Sequence, residues 1–390
     1  MCISKHIGLC GEKFMKSVLI LFDNVVTLYI WILIINAVIS WLVAFNILNT
    51  GNRFVYSVLD FSYRLTAPAL NYIRRFLPNL GSIDISPSNI NFSINVFKKF
   101  CFRNVRSKFI LMMIIDGKKE AENLRQEIKK EIELLKSENN KVPGLTVILI
   151  GDFAPSQIYV KNKEKSAKEV GINSNVIRYP KDVTEEEVLK KIEDLNNNTE
   201  VSGILVQLPL PPQIDKEKII KAVNPKKDVD GFHPINVGNL SSGHHALVPC
   251  TPLGCLYLIK KVEKNLSGKH AVIIGRSNLN GKPMAQLLLK ENCTVTIVHS
   301  KTKDLKQECL KADILVAAVG VAKLVKADWV KKNSIVIDVG INKVGDKIVG
   351  DVDFEAVKDK SKAITPVPGG VGPMTIACLL KNTLDCFKAR

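Results

Sequence analysis

Two hydrophobic rhythms divide the chain. Residues 25–45, VVTLYIWILIINAVISWLVAF, form an unbroken apolar run, and no charged residue appears between Asn24 and Asn52. As a helix this run is long enough to cross a hydrocarbon core of about 30 Å. Tyr29, Trp31 and Trp41 suit the two interfaces. The run is long for a signal peptide, and no small-residue cleavage site follows it. From Met112 the rhythm changes. MMIIDGKKEAENLRQEIKKEI reads as a short strand, an Asp-Gly turn and an amphipathic helix. Beyond it, LTVILIG (145–151), SGILVQLPL (202–210), HAVIIG (270–275), TVTIVHS (294–300), DILVAAVG (313–320) and SIVIDVG (334–340) read as strands. Helical patterns fill most of the gaps. This alternation predicts an α/β fold with parallel sheets.

One segment breaks both rhythms. In TPVPGGVGPMT (365–375), six of eleven residues are Pro or Gly. Proline fixes φ and glycine admits close approach, so the alternation predicts a stiff loop. The apolar run from Met374 to Leu384 predicts a helix directly after it. Such a loop suits a planar ligand or an anion.

Composition places limits on these readings. The 390 residues leave room for two or three domains, and 46% hydrophobic with 24% charged residues is globular. The net charge is +17, but residues 1–112 hold twelve Lys/Arg against four Asp/Glu, leaving +9 for the other 278 residues. The basic excess is thus densest beside the apolar run. No basic helix or basic-aromatic repeat appears in 113–390, which argues against nucleic acid as a partner. A mildly basic surface fits phosphorylated or polyglutamylated small molecules. The nine cysteines show no CxxC and no metal-ligand spacing, so no metal site is expected. Cys255, Cys293 and Cys378 sit in apolar runs and read as small core residues of a reduced, cytosolic enzyme part.

A dinucleotide site is expected in the second half. Strand HAVIIG ends at Gly275, and RSNLNGKPMAQLLLK follows, with Gly281 permitting close packing and Pro283 suiting a first helical turn. The helix start then faces a pyrophosphate. The spacing is G-x5-G rather than G-x-G-x-x-G. The next strand ends in His299-Ser300-Lys301, without the carboxylate that NAD needs for its ribose 2′-hydroxyl. Arg276, Ser300 and Lys301 instead suit a 2′-phosphate, so NADP is the expected cofactor. The alternatives are that Ser300 only caps a helix and Lys301 is only solvated.

Catalytic candidates lie in the first half. In GDFAPSQIYVKNKEKSAKEVG (151–171), Tyr159 and Lys163 are four apart, on one helix face. Lys161 and Lys165 flank Lys163, and crowding by like charges is expected to push a lysine towards the neutral form used in acid–base work. Gln207 ends strand VQLPLPP. Asp228 and Asp230 surround a turn in KDVDGFHPINVG; Asp228 reads as turn-forming, and Asp230 as a carboxylate for two ring N–H donors. PCTPLG (249–254) is a second rigid loop opening a helix.

Together, SQIYVKNK, GILVQLPLP, KDVDGF, PCTPLG, GRS…GKPMA, DVGIN and TPVPGGVGPMT closely resemble the bifunctional methylenetetrahydrofolate dehydrogenase/methenyltetrahydrofolate cyclohydrolase (FolD) family, from about Ile114 to the C-terminus. The resemblance implies a catalytic folate-binding α/β domain (113–255, completed by helix 374–390) and a Rossmann-type NADP domain (256–364) flanking a cleft, in a homodimer. It implies tetrahydrofolate derivatives as substrates. Lys163 would be the catalytic lysine, Tyr159 would stack on the folate, Gln207 would tune Lys163 and Asp230 would anchor the pterin. Gly275, Arg276, Ser277, Ser300 and Ile341 would line the NADP site; Pro366, Gly369 and Gly370 would wall the folate pocket. Asn280 departs from the apolar residue common there. Other readings are a shikimate-type NADP dehydrogenase, disfavoured by KDVDGF with TPVPGGVGP, and a membrane interaction protein, disfavoured by intact Lys163, Gln207 and Asp230.

Residues 25–87 resemble another family, the small YGGT membrane proteins, through AVISW (Ala37–Trp41) and LTAPALNYIRRFLPNLGSIDISP (Leu65–Pro87). That family continues into a second apolar helix, whereas Ser88–Phe109 here is polar and basic. The N-terminal part (1–112) is therefore expected to be either a membrane tether with a basic linker or a neighbouring reading frame joined to a complete enzyme.

Overall fold

The structure, a computed structural model, describes residues 112–390 together with Leu42, Ser57, Asp60 and Arg64. The chain forms two compact units, 1–110 and 111–390. In the first, the four described residues are helical, and Arg64 pairs with Asp60 one turn away at 2.9 Å. Apart from Leu42, the apolar run 25–45 lies outside the described residues, as do the 65–87 motif and the basic stretch 88–109. Among the described residues no helix is long and apolar enough to cross a membrane.

The second unit alternates strands and helices. In chain order it runs β1 (Met113–Ile114), α1 (Gly117–Asn139), β2 (Gly144–Ile150), α2 (Ala154–Glu169), β3 (Asn173–Tyr179), α3 (Glu185–Asn197), β4 (Gly203–Val206), α4 (Lys216–Ala222) and α5 (Pro234–Ser241). It continues through α6 (Cys250–Val262), β5 (His270–Ile274), α7 (Gly281–Lys290), β6 (Thr294–Val298), α8 (Leu305–Leu310), β7 (Ile314–Ala317) and β8 (Ile335–Asp338). It ends with β9 (Asn342–Val344), β10 (Lys347–Val349), α9 (Phe354–Val357), β11 (Ala363–Ile364) and α10 (Val371–Lys388). Local chemistry explains several boundaries. The Asp116 carboxylate caps α1 through Lys119 N at 3.0 Å, and Thr184 with Glu187 forms a capping box on α3.

Three strands form a parallel sheet in the order β3-β2-β4, and six form a second parallel sheet in the order β1-β11-β8-β7-β5-β6. Strands covered on both faces read as continuous apolar runs, which is why GLTVILI is buried along its whole length. β3, NSNVIRY, is an edge strand with alternating exposure and carries no such run. An antiparallel hairpin, β9 with β10, stands apart from both sheets.

The short strand expected after Met112 is β1, which pairs with β11 at the edge of the six-stranded sheet. One expectation is revised. The last helix starts at Val371 rather than Met374. Pro373 then falls in its first turn, where its missing N–H costs nothing.

Close backbone approaches hold the loop 365–370 in place. A Cβ on Gly117 would lie 1.8 Å from Gly370 O, and Lys118 N donates to Gly369 O at 3.1 Å. Gly369 itself takes φ 103°, a conformation for which glycine has no steric penalty. Helix α10 packs against α6 and α1, and at Gly254 a Cβ would come within 2.9 Å of Met374 Cβ. The apolar faces of α1, α6 and α10 make one continuous core with residues of both sheets, including Leu145, Leu258, Ile273 and Leu380.

Candidate active site

The C-terminal ends of β2 and β4 point to one side, and the loops leaving them build a cavity of about 370 Å³. Its lining includes Tyr159, Lys163, Gln207, Asp230 and Ile341. Four separate chain segments are needed to place these five side chains.

Lys163 is the central group. It lies on the inner face of α2, where Ser156, Val160 and Ala167 are also buried, and it is only 7% exposed. Its Nζ donates to Gln207 Oε1 at 2.9 Å, while Gln207 Nε2 donates to Leu208 O at 2.8 Å. The second bond fixes which way the Gln207 amide faces, so that its oxygen meets the ammonium. The expected crowding by neighbouring lysines does not occur. Lys161 and Lys165 are two positions away, on the opposite side of the helix, and both are exposed.

Asp230 supplies the opposing charge. Burial pushes its carboxyl up to about 6; Lys163 pulls it down and Asp228 pushes it further up. Asp228 turns away from the cavity. Its Oδ2 accepts from His233 N at 2.8 Å and from Asn236 Nδ2 at 2.9 Å, which shapes the turn. Tyr159 is half-buried, and burial raises its phenol above the ordinary range.

A neighbouring cavity of about 660 Å³ shares Tyr159 and Ile341 with the first. Pro366, Gly369 and Gly370 line it, together with Lys118, Arg125 and Lys165. Thr251 and Thr375, not singled out by sequence reasoning, line the first cavity with their hydroxyls 3.0 Å apart. Their positions after PC in PCTPLG and after PM in GPMT placed both at the starts of helices that open from rigid loops.

Gly275, Arg276, Ser277 and Ser300 form a separate group on the six-stranded sheet, lining neither cavity. Gly275, at φ 119°, leaves β5; a Cβ on it would sit 2.4 Å from Ala318 O. A Cβ on Gly281 would sit 2.1 Å from Gly275 O. Both positions therefore admit only glycine without movement. Ser277 Oγ accepts from Asn280 N at 3.1 Å and tightens the turn into α7. Arg276 and Ser300 are exposed, and β6 ends at Val298 with no carboxylate in the three residues that follow. These features fit a dinucleotide that carries a 2′-phosphate. Beside this group, Asp338 and Asp351 are buried. Asp338 accepts from Gly340 N, Asp351 N and Val352 N, and Asp351 accepts from Val319 N, Gly320 N and Asn342 Nδ2. They hold the loop that carries Ile341 to the cleft.

Comparison with known proteins places the chain among folate enzymes. The tetrahydrofolate dehydrogenase/cyclohydrolase catalytic domain matches residues 115–230, and the NAD(P)-binding domain of the same family matches 249–390. The CCB3/YggT family matches residues 15–105. The bifunctional protein FolD of Pelagibacter ubique is 70% identical over 277 residues, which cover 71% of this chain and 99% of that protein. The crystal structure of the Campylobacter jejuni FolD dehydrogenase/cyclohydrolase superposes with a TM-score of 0.70 at 50% identity, covering 72% of this chain and 99% of that one. The Trypanosoma brucei enzyme, solved with NADP and an inhibitor, gives 0.69 at 38% identity, covering 71% and 97%.

The close approach at Gly281 yields a specific expectation. Gly281→Ala forces α7 away from Gly275, and affinity for NADP falls by about tenfold or more, the loss expected when a pyrophosphate contact is displaced. Titration of intrinsic fluorescence with NADP checks this. Unchanged affinity would remove the turn from the cofactor site.

Proposed function

The chain belongs to the tetrahydrofolate dehydrogenase/cyclohydrolase family, and from that membership we propose how its residues divide the two reactions. The enzyme oxidises 5,10-methylenetetrahydrofolate to the methenyl form with NADP, then hydrolyses that product to 10-formyltetrahydrofolate. The observation that carries the division of labour is the Lys163–Gln207 bond facing Asp230 across one cavity.

NADP supplies the hydride acceptor. Gly275 and Gly281 give its pyrophosphate room, Ser277 and the start of α7 meet it, and Arg276 and Ser300 take the 2′-phosphate; Ile341 reaches from this site to the cavity. Asp230 accepts N–H donors of the pterin, Tyr159 stacks on the folate, and Pro366, Gly369 and Gly370 wall its far side. The chain's part in the first reaction is therefore orientation of two rings.

In the second reaction water adds to the cationic methenyl carbon. Of the two water protons, one must reach the departing ring nitrogen and the other leaves to solvent. Lys163 Nζ is the group placed to carry the proton between them, with Gln207 holding it in position. The domain division follows the same logic: 113–255 with the last helix binds folate, and 256–364 binds NADP, with β1 contributed to the second sheet.

We further infer that residues 25–45 span a bilayer once, supported by their charge-free apolar run and the CCB3/YggT match at 15–105. The enzyme part then faces the cytosol, where folates and NADP are found. A homodimer is supported by the open outer edge of β3. Carbonate extraction of membranes and light scattering of the solubilised chain check these two; a carbonate-soluble or strictly monomeric protein would overturn them.

Lys163→Met is expected to lower methenyl hydrolysis by about a hundredfold or more, the usual scale of a positioned acid–base group, with NADP binding retained. Unchanged hydrolysis would strip Lys163 of the role. Asp230 makes a pH prediction. Its folded value of about 6 lies above the usual 3.8, so its stabilising contribution is complete below 3.8 and is lost as pH rises through about 6. Ligand binding runs the other way, because only the carboxylate accepts two N–H donors. Folate affinity is expected to rise through pH 6 in the native enzyme and to lose that step in Asp230→Asn. A step that survives in the variant belongs to another group, such as Asp338, which burial also pushes to about 6.

A further inference from the structure

The strongest unassigned feature lies behind the cavity wall, on the last helix. Asn382 is 3% exposed and carries no charge, yet its amide reaches two distant chain segments. Nδ2 donates to Val229 O at 2.8 Å and to Val248 O at 2.9 Å. It also lies 3.7 Å from Cys250 Sγ, whose thiol donates to Val229 O at 3.3 Å. The Val229 carbonyl belongs to the peptide that leads into Asp230. The Val248 carbonyl belongs to the peptide that leads into Pro249, and both Pro249 and Cys250 line the cavity.

These two segments are pressed together. A Cβ on Gly231 would lie 2.6 Å from Val248 C and 2.7 Å from both Leu247 O and Pro249 N. Gly203, at the start of β4, backs the same turn: a Cβ there would lie 2.3 Å from Val229 Cγ1. Two carbonyl oxygens therefore converge on one buried amide. Buried carbonyls need donors, and a primary amide has two N–H groups, one for each. Serine and threonine offer one hydrogen each, and an ionised carboxylate offers none. Thr383, the next residue, spends its hydroxyl on Leu379 O within its own helix and plays no such part.

We propose that Asn382 is a positioning residue for folate binding, holding the peptides on either side of the pterin site so that Asp230 keeps its aim into the cavity. This rests on the reading of Asp230 as the pterin anchor. It also gives the return of α10 to the first domain a chemical purpose beyond packing: the last helix sets the geometry of a carboxylate more than 150 positions earlier in the chain, since Asn382 and Val229 are 153 apart.

The test uses the full chain with both half-reactions measured. Asn382→Leu keeps the volume and removes both donors. KM for 5,10-methylenetetrahydrofolate is expected to rise by about tenfold, while KM for NADP changes by less than about twofold, because only the folate side loses its alignment. The acid limb of the pH profile for folate is expected to move in the same variant. A purely structural role lowers the amount of active enzyme and leaves both KM values and the pH profile in place. Should Asn382→Leu fail to fold, Asn382→Ser, which keeps one donor, is read by the same assays and is expected to show the same selective change at smaller size. Asp230→Asn separates the two claims. If it leaves KM for folate unmoved, the anchor reading falls; if it raises that KM while a folded Asn382 variant does not, the positioning role alone is overturned.

Discussion

Burying the ammonium of Lys163 sets the terms for the cleft. A charge taken out of water needs an acceptor and an opposite charge nearby, or it will not remain there. The carboxylates of α2 do not serve it, since Glu164 pairs with Lys168 and Glu169 with Lys165. Gln207 comes from the end of β4 and Asp230 from the turn 228–231, so the site exists only when the three-stranded sheet has formed. The cost of burial is met by the same groups that give the lysine its chemistry.

The second domain obeys a different constraint. There the controlling quantity is clearance between backbones. Gly275 and Gly281 leave no room for a methyl group, which brings the start of α7 onto the end of β5. The buried carboxylates Asp338 and Asp351 play the corresponding part for the loop at 340–342. Each collects backbone N–H groups that no strand supplies, and a loop fixed in this way carries Ile341 between the two cavities.

Much of the fold could be read from the chain. The six apolar runs all contain strands, and in β2, β5, β7 and β8 the run reflects burial along nearly the whole strand, whereas the edge strand β6 is read from its β-branched residues alone. β3 could not be read this way, because an edge strand with one open side is half polar. The hairpin β9–β10 is too short and too exposed to leave a pattern. Lysines two positions apart are neighbours in sequence but not on a helix, so Lys161 and Lys165 lie across α2 from Lys163. Asn382 gave no signal, because a buried amide in a helix looks like any other polar residue until its partners are known.

The sequence by itself determined the class of fold, the two-part character of the chain and the cofactor preference, and it marked Lys163, Tyr159, Gln207 and Asp230 as candidates that share one cavity, because motif, spacing and periodicity are local properties. Tertiary structure decided what those residues do to one another. It brought Gln207 onto Lys163, turned Asp228 away from the cavity into a buried turn and Asp230 into the cavity, placed β1 in the second sheet and returned the last helix to the first. Each of these depends on contacts between segments far apart in the chain, where loop closure and packing choose the partner and no local pattern records the choice.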